Sequence, residues 1–299
     1  MTERLSPPVC DYEGSRYEQD FWQGRDRTYE DRAERIALRR LLPPCGGRVL
    51  EIGAGFGRLT GELLAFEQVV LLDYSRTMLA AARARLGDGD GRYTYVAADV
   101  YRLPFAPGAF DAATMIRVFH HMADPAAALG SIRRALAPGA AFVLEYANKR
   151  NLKAMLRYAL RRQAWSPYTP EPVEFVALNF DFHPAYVQAA LRAAGFVTTR
   201  RLAVSTFRLG LLKRIVPAGL LATLDGALQP YVPLISPSVF TLNRADGSGP
   251  DPVRAPLAFR CPMCGGDLTV GEDDVFTCRN DGLRWARRDG IYDFKEPVD

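Results

Sequence analysis

Histidine is scarce in this chain: three occur among 299 residues, which limits imidazole bases to His120, His121 and His183. Cysteine is little commoner. Of the five, Cys261, Cys264 and Cys278 cluster at metal-binding spacing, which argues against a disulfide framework and for a reducing compartment. Cys10 and Cys45 stand alone and read as incidental or buried thiols. No uninterrupted apolar run reaches the roughly 18 residues of a membrane span. The opening "MTERLSPPVCDYEGSRYEQD" has no apolar core of a signal peptide, so the expected location is the cytoplasm. A strong charge excess is missing too. The net charge of +4 is too mild to define a nucleic-acid binder by itself. What remains is a globular balance, 48% hydrophobic and 24% charged, at a length that suits one large domain and a small one.

Residues 1–42 read as a charged, helical segment punctuated by Tyr12, Tyr17, Phe21, Trp22 and Tyr29. Apolar strands and helices then alternate. Strands are expected over 48–53, 68–73, 93–99, 110–116 and 140–147, with helices over 57–65, 76–86 and 125–136. Continuous apolar strands separated by helices indicate an α/β fold with a doubly wound, parallel sheet. The rhythm breaks at 148–183 and again at 205–237, and a helix over 184–194 and strands over 196–204 and 238–245 complete the body. "DGSGPDPVRAP" (246–256) has a linker's composition, so the body is placed at 43–245 and a second unit at 257–299. From Leu257 onward nine acidic residues face six basic ones, which leaves the tail acidic and the body basic.

"EIGAGFG", Glu51 to Gly57, closes the first strand. Its glycines, Gly53, Gly55 and Gly57, permit a tight turn and close approach of a ligand to backbone. Dinucleotide-binding folds also use such loops, so the loop alone decides little. Its GxGxG spacing and the preceding Glu51 separate it from GxGxxG. Asp73 ends the second strand, where a carboxylate can take both ribose hydroxyls. Asp99 ends the third, where a carboxylate and a neighbouring N–H can read an adenine edge. Capping of a strand-to-helix turn is the alternative for both.

With "LPF" (103–105), Phe110-Asp111, His120-His121, Leu129, Ile132, Leu136 and "APGA" in the same order, the sequence resembles the class I S-adenosylmethionine (SAM) methyltransferases. The resemblance is strong over about 45–147. It implies a seven-stranded Rossmann-like sheet with an inserted helical cap. It also implies a cofactor site that includes Glu51, in which Gly53, Gly55 and Gly57 hold the methionine part and Asp73 the ribose. Tyr74 and Met78 would pack the adenine, Asp99 and Val100 would bind its edge, and Arg117 to His121 would line the methyl-donor side. Tyr17 and Trp22 would either close over the cofactor or pack an N-terminal helix.

Both insertions are expected over the carboxyl ends of the strands, forming the acceptor pocket. His121 and His183 are the candidate bases, with Asp181 placed to orient His183; a structural role stays open for each. No "NPPY"-type signature, used on planar amines, follows the fourth strand, which counts against methylation of base amines and glutamine amides. The basic helix expected over 149–162 reads as a solvated face, an RNA contact or a dock for an anionic membrane.

The tail "CPMCGGDL…CRNDG…RDGIYDF" resembles the zinc-ribbon modules that accompany methyltransferases of the translation machinery. It implies zinc held by Cys261, Cys264, Cys278 and, where a fourth cysteine is usual, Asp281. A metal-free ribbon packed by Leu268, Phe276, Trp285, Ile291 and Phe294 is the alternative. The leading expectation is methyl transfer to a small hydrophobic molecule. An RNA or translation-factor methyltransferase and a non-catalytic SAM-binding regulator are the alternatives.

Overall fold

The computed structural model describes residues 7–15, 27–247 and 256–299. Seven strands form the body of the sheet: β1 (Gly46–Ile52), β2 (Phe66–Asp73), β3 (Tyr93–Ala97), β4 (Phe110–Met115), β5 (Leu136–Ala147), β8 (Phe196–Val204) and β9 (Ser238–Ala245). Their order is β3-β2-β1-β4-β5-β9-β8, parallel except for β9, which is antiparallel to both neighbours. Alternation sorts the apolar runs onto two faces. Val49, Leu71, Tyr95, Ala112 and Val143 pack with α1 (Thr28–Leu41), α2 (Arg76–Leu86) and α7 (Ala218–Leu228). Leu50, Val70, Val96, Ala113 and Leu144 face α3 (Pro125–Ala135) and α5 (Pro184–Ala193).

The helix expected over 57–65 is reduced to one 3-10 turn, Thr60–Leu63, because the glycine-rich approach has too few residues left before β2 starts at Phe66. The first insertion carries α4 (Leu152–Ala159) and a hairpin of β6 (Val173–Val176) and β7 (Asn179–Asp181). It contains a much shorter helix than 149–162: Asn151 caps the start and Arg161 takes a left-handed φ of 55° just past the end. The second insertion carries α6 (Gly210–Ile215) and α7. It departs from the expected cap, since α7 packs against α1 through Leu221 and Ala222.

The tail does not stand apart as a free module. Strands β10 (Leu268–Val270), β11 (Val275–Cys278), β12 (Arg284–Arg288) and β13 (Ile291–Val298) form an antiparallel ribbon, and β13 pairs in parallel with β3, making eleven strands in one sheet. The β3 edge offers a row of N–H and C=O groups, and β13 satisfies them. A second seam joins Phe259 to Phe105: Ala106 N–H donates to Ala258 O (3.1 Å) and Arg260 N–H to Pro104 O (3.0 Å). The Phe259 ring centroid lies 5.1 Å from that of Phe294 and 4.6 Å from that of Tyr292, and 5.9 Å from that of Phe105, so the ribbon's aromatic core is shared with the body.

Candidate active site

The chain reverses its winding between β1 and β4, and such a switch point opens a crevice at the carboxyl ends of the strands. Here β1 ends in the glycine loop. Gly53 and Ala54 N–H groups donate to Leu72 O at 2.7 and 3.0 Å, which bends the loop over β2. Gly53 is held at φ +68°, and a Cβ there would lie 2.1 Å from the Val118 side chain; only glycine fits. Gly55 N–H donates to Asp73 Oδ2 (2.8 Å) while Ser75 N–H donates to Oδ1 (2.9 Å), so Asp73 ties the loop to the α2 N-terminus. Burial raises the Asp73 carboxyl above its usual range, opposed by these N–H donors.

The crevice holds a cavity of about 110 Å³ lined by Gly53, Gly55, Asp73, Tyr74, Met78, Val100, Arg117 and His121, and by Val9, Cys10 and Tyr12 of the N-terminal segment. A smaller pocket of about 60 Å³ adjoins Glu51, Gly53, Gly55 and Arg117. Burial pushes the Glu51 carboxyl up to about 7, although Thr60 Oγ1 donates to it at 2.6 Å. A roomier groove of about 640 Å³ lies elsewhere, between α2 and β12–β13, and has none of the glycine loop in its walls. The crevice, where four strand ends converge on the half-buried Asp73 carboxylate, is the candidate site.

Most of the residues singled out in the sequence meet here. Asp99 caps a one-turn helix, accepting from Tyr101 N–H (2.9 Å), and Ala98 and Val100 on either side of it form the wall. Tyr17 and Trp22 lie outside the described residues. His183 and Asp181 make no pair. The His183 ring instead accepts from Ala185 N–H (3.1 Å) as the cap of α5. Asp181 makes no hydrogen bond to it, and burial pushes the Asp181 carboxyl up to about 6.

His121 is the imidazole at the crevice. Its Nδ1 lies 2.8 Å from Leu178 O, and a carbonyl only accepts, so Nδ1 carries the hydrogen. Nε2 therefore presents its lone pair, which accepts from the Tyr12 hydroxyl at 3.2 Å. Burial lowers the pKa of His121 and of His120, whose ring centroid is 4.0 Å away; both are neutral at pH 7. The arrangement is a neutral base with a fixed tautomer, held by a carbonyl of the first insertion.

A charged network that periodicity does not reveal supports this wall. Glu34 on α1 is fully buried and receives Arg58 Nη2 at 2.8 Å and the guanidinium of Arg117. Arg117 sits at φ +59°, and its N–H donates to Glu145 Oε2 (2.8 Å). Tyr12 was visible as an aromatic near the N-terminus, but nothing local linked it to His121, 109 positions away.

In the tail, the Sγ atoms of Cys261, Cys264 and Cys278 and a carboxylate oxygen of Asp281 lie within 4.8 Å of one another. Gly266 N–H points at Cys264 Sγ and Asn280 N–H at Cys278 Sγ, both at 3.4 Å. Three cysteine sulfurs with a carboxylate form a chemically suitable donor set for zinc.

A methyltransferase-domain family model matches residues 50–144. The chain is 30% identical over 201 residues to a demethylmenaquinone methyltransferase of Clavibacter sepedonicus, covering 63% of this chain and 82% of that protein. It is 30% identical over 151 residues to O-methyltransferase cnsE of Penicillium expansum, covering 48% of this chain but only 55% of the relative. Among solved structures, a chain in the complex between the Haloferax volcanii Trm112 methyltransferase activator and a methyltransferase superposes with a TM-score of 0.51 at 21% identity. That match covers 75% of this chain and 94% of that one, and shows a shared fold. The chain belongs to the SAM-dependent methyltransferases. No helix among the described residues is long and apolar enough to cross a membrane.

Proposed function

We propose that this methyltransferase acts on a small hydrophobic acceptor presented at a lipid surface. The first insertion carries the reading. It anchors His121 through Leu178 O, yet leaves Leu152 (62%), Leu156 (59%) and Leu160 (54%) of the α4 region exposed to solvent. Six basic and no acidic residues occur between Lys149 and Pro170. Exposed leucines among arginines suit an anionic lipid interface. An RNA contact would use the arginines but leave the leucines unpaid, so RNA is the second reading. The menaquinone-type and O-methyl relatives agree with a small-molecule acceptor.

The crevice suits SAM chemically. Ile52, Leu72, Ala98, Val100 and Met122 give an apolar wall, and Asp73 supplies one half-buried carboxylate. In this reading Asp73 holds the ribose and Gly53, Gly55 and Glu51 the methionine end, while Tyr74, Met78 and Val100 pack the adenine. When bound, SAM supplies an activated methyl group on a sulfonium. Alignment and exclusion of water are then the main demands on the protein. His121 Nε2 takes the acceptor's proton once the acceptor hydroxyl replaces that of Tyr12. The tail holds zinc through Cys261, Cys264, Cys278 and Asp281 in a structural role, as a covalently attached counterpart of a methyltransferase activator.

The test is S-adenosylhomocysteine formation by purified protein with lipophilic phenols and hydroquinones in vesicles, against tRNA and rRNA. Turnover with the lipophilic set is expected. Methylation confined to RNA would overturn the reading.

A further inference from the structure

Because β13 runs parallel to β3, its carboxyl end emerges beside the carboxyl ends of β3 and β2, where the crevice lies. Asp293 is level with Ala97, the last residue of β3, and Lys295 lies two residues further on. An antiparallel pairing would have delivered it to the far side of the sheet. The Lys295 side chain is 6% exposed and reaches three groups of the body. Its Nζ sits 4.1 Å from the ring centroid of Tyr74, 3.6 Å from Glu13 Oε2 and 3.8 Å from Asp11 Oδ2.

Each of these groups bears on the cofactor crevice. Tyr74 lines the cavity directly. Asp11 and Glu13 flank Tyr12, and Val9, Cys10 and Tyr12 close the crevice on its open side. Glu13 also accepts from Arg76 N–H (2.8 Å) and Thr77 N–H (3.0 Å), covering the first turn of α2. The segment is thus fastened at three points: Glu13 on α2, Tyr12 on His121 and the carboxylates on Lys295. Arg76 Nε reaches Asp293 Oδ2 at 3.2 Å, and Lys295 N–H donates to Asp293 Oδ1 at 3.1 Å, which ties this part of β13 to α2.

We propose that Lys295 is a positioning residue for SAM: through it the C-terminal ribbon holds the 7–15 segment and the Tyr74 ring in their binding arrangement. Asp11 and Glu13 carry like charge on one short segment, and a largely buried ammonium between them and an aromatic face offsets their repulsion. This deepens the SAM-site reading and rests on it.

The test compares full-length wild type, Lys295→Met and Lys295→Arg. SAM and S-adenosylhomocysteine binding are measured by calorimetry, with hydrogen exchange followed along the chain. Lys295→Met keeps the stem and removes the charge. It should weaken binding of both molecules by about ten-fold and speed exchange over 7–15, leaving protection of β10–β12 unchanged. Lys295→Arg should recover most of the affinity. Wild-type affinity in Lys295→Met would overturn the proposal. So would loss of protection in β10–β12 together with 7–15, which would make Lys295 a packing residue of the ribbon. A wild type that binds neither molecule would instead remove the SAM-site reading beneath it.

Discussion

The guanidinium of Arg117 closes on the carboxylate of Glu34, a residue 83 positions earlier that is entirely shielded from water. Arg117 pays for this with a left-handed backbone at φ +59°, at the point where β4 gives way to the crevice. Arg58 is the second partner of Glu34. Arg117→Ala leaves the buried carboxylate paired with Arg58, and a loss of about 3 kcal/mol in urea unfolding is expected. The double variant Arg117→Ala/Glu34→Gln should recover a good part of it. An unfolding midpoint unchanged in Arg117→Ala would show that the pair contributes nothing.

Glu51 sets a pH dependence of the protein free of cofactor. Its carboxyl is raised from an ordinary 4.5 to about 7 by burial, so the folded state binds the proton more tightly than the unfolded chain. Stability from this group is greatest below the unfolded value and declines as pH climbs to about 7. The decline is on the order of 3 kcal/mol. Glu51→Gln removes it, so the gap between variant and wild type should widen from pH 5 to pH 8. Parallel curves would show that Glu51 is ionised throughout.

His121→Gln keeps a side chain of similar reach and removes the base. Turnover should fall about 100-fold or more, with SAM affinity within a few-fold of wild type. Tyr12→Phe should leave the imidazole basic and cost far less. If His121→Gln turns over at the wild-type rate, the acceptor needs no base from this residue.

Metal analysis of the purified protein should find about one zinc ion per chain. Cys278→Ser should lose it and lower the melting temperature, and Asp281→Cys should retain zinc more tightly against chelators. Wild-type protein that contains no zinc ends the assignment and leaves a ribbon held by Trp285, Phe276 and Phe294, all buried.

Vesicles of phosphatidylglycerol should sediment the protein, and those of phosphatidylcholine should not. Leu152→Ser/Leu156→Ser should weaken this binding at every salt concentration, whereas Arg157→Gln should weaken it at low salt and flatten its further loss as salt is added. Indifference to the leucine changes would sink the lipid-surface reading.

By itself the sequence determined the strands of the body, the glycine loop with Asp73, and the grouping of Cys261, Cys264, Cys278 and Asp281. Each is written in short-range spacing: alternate burial along a strand, a turn that only glycine fits, paired ligands three positions apart. It also overreached locally, drawing a helix over 57–65 where one turn fits, and pairing Asp181 with His183 because they are neighbours in the chain. Only the tertiary structure decided the direction of β13, since either orientation would satisfy the hydrogen-bonding edge of β3 and only the parallel one brings Lys295 to the crevice. It also chose the His121 tautomer through Leu178 O and joined Glu34 to Arg117. Those contacts span tens of residues, and a pattern of near neighbours carries no record of them.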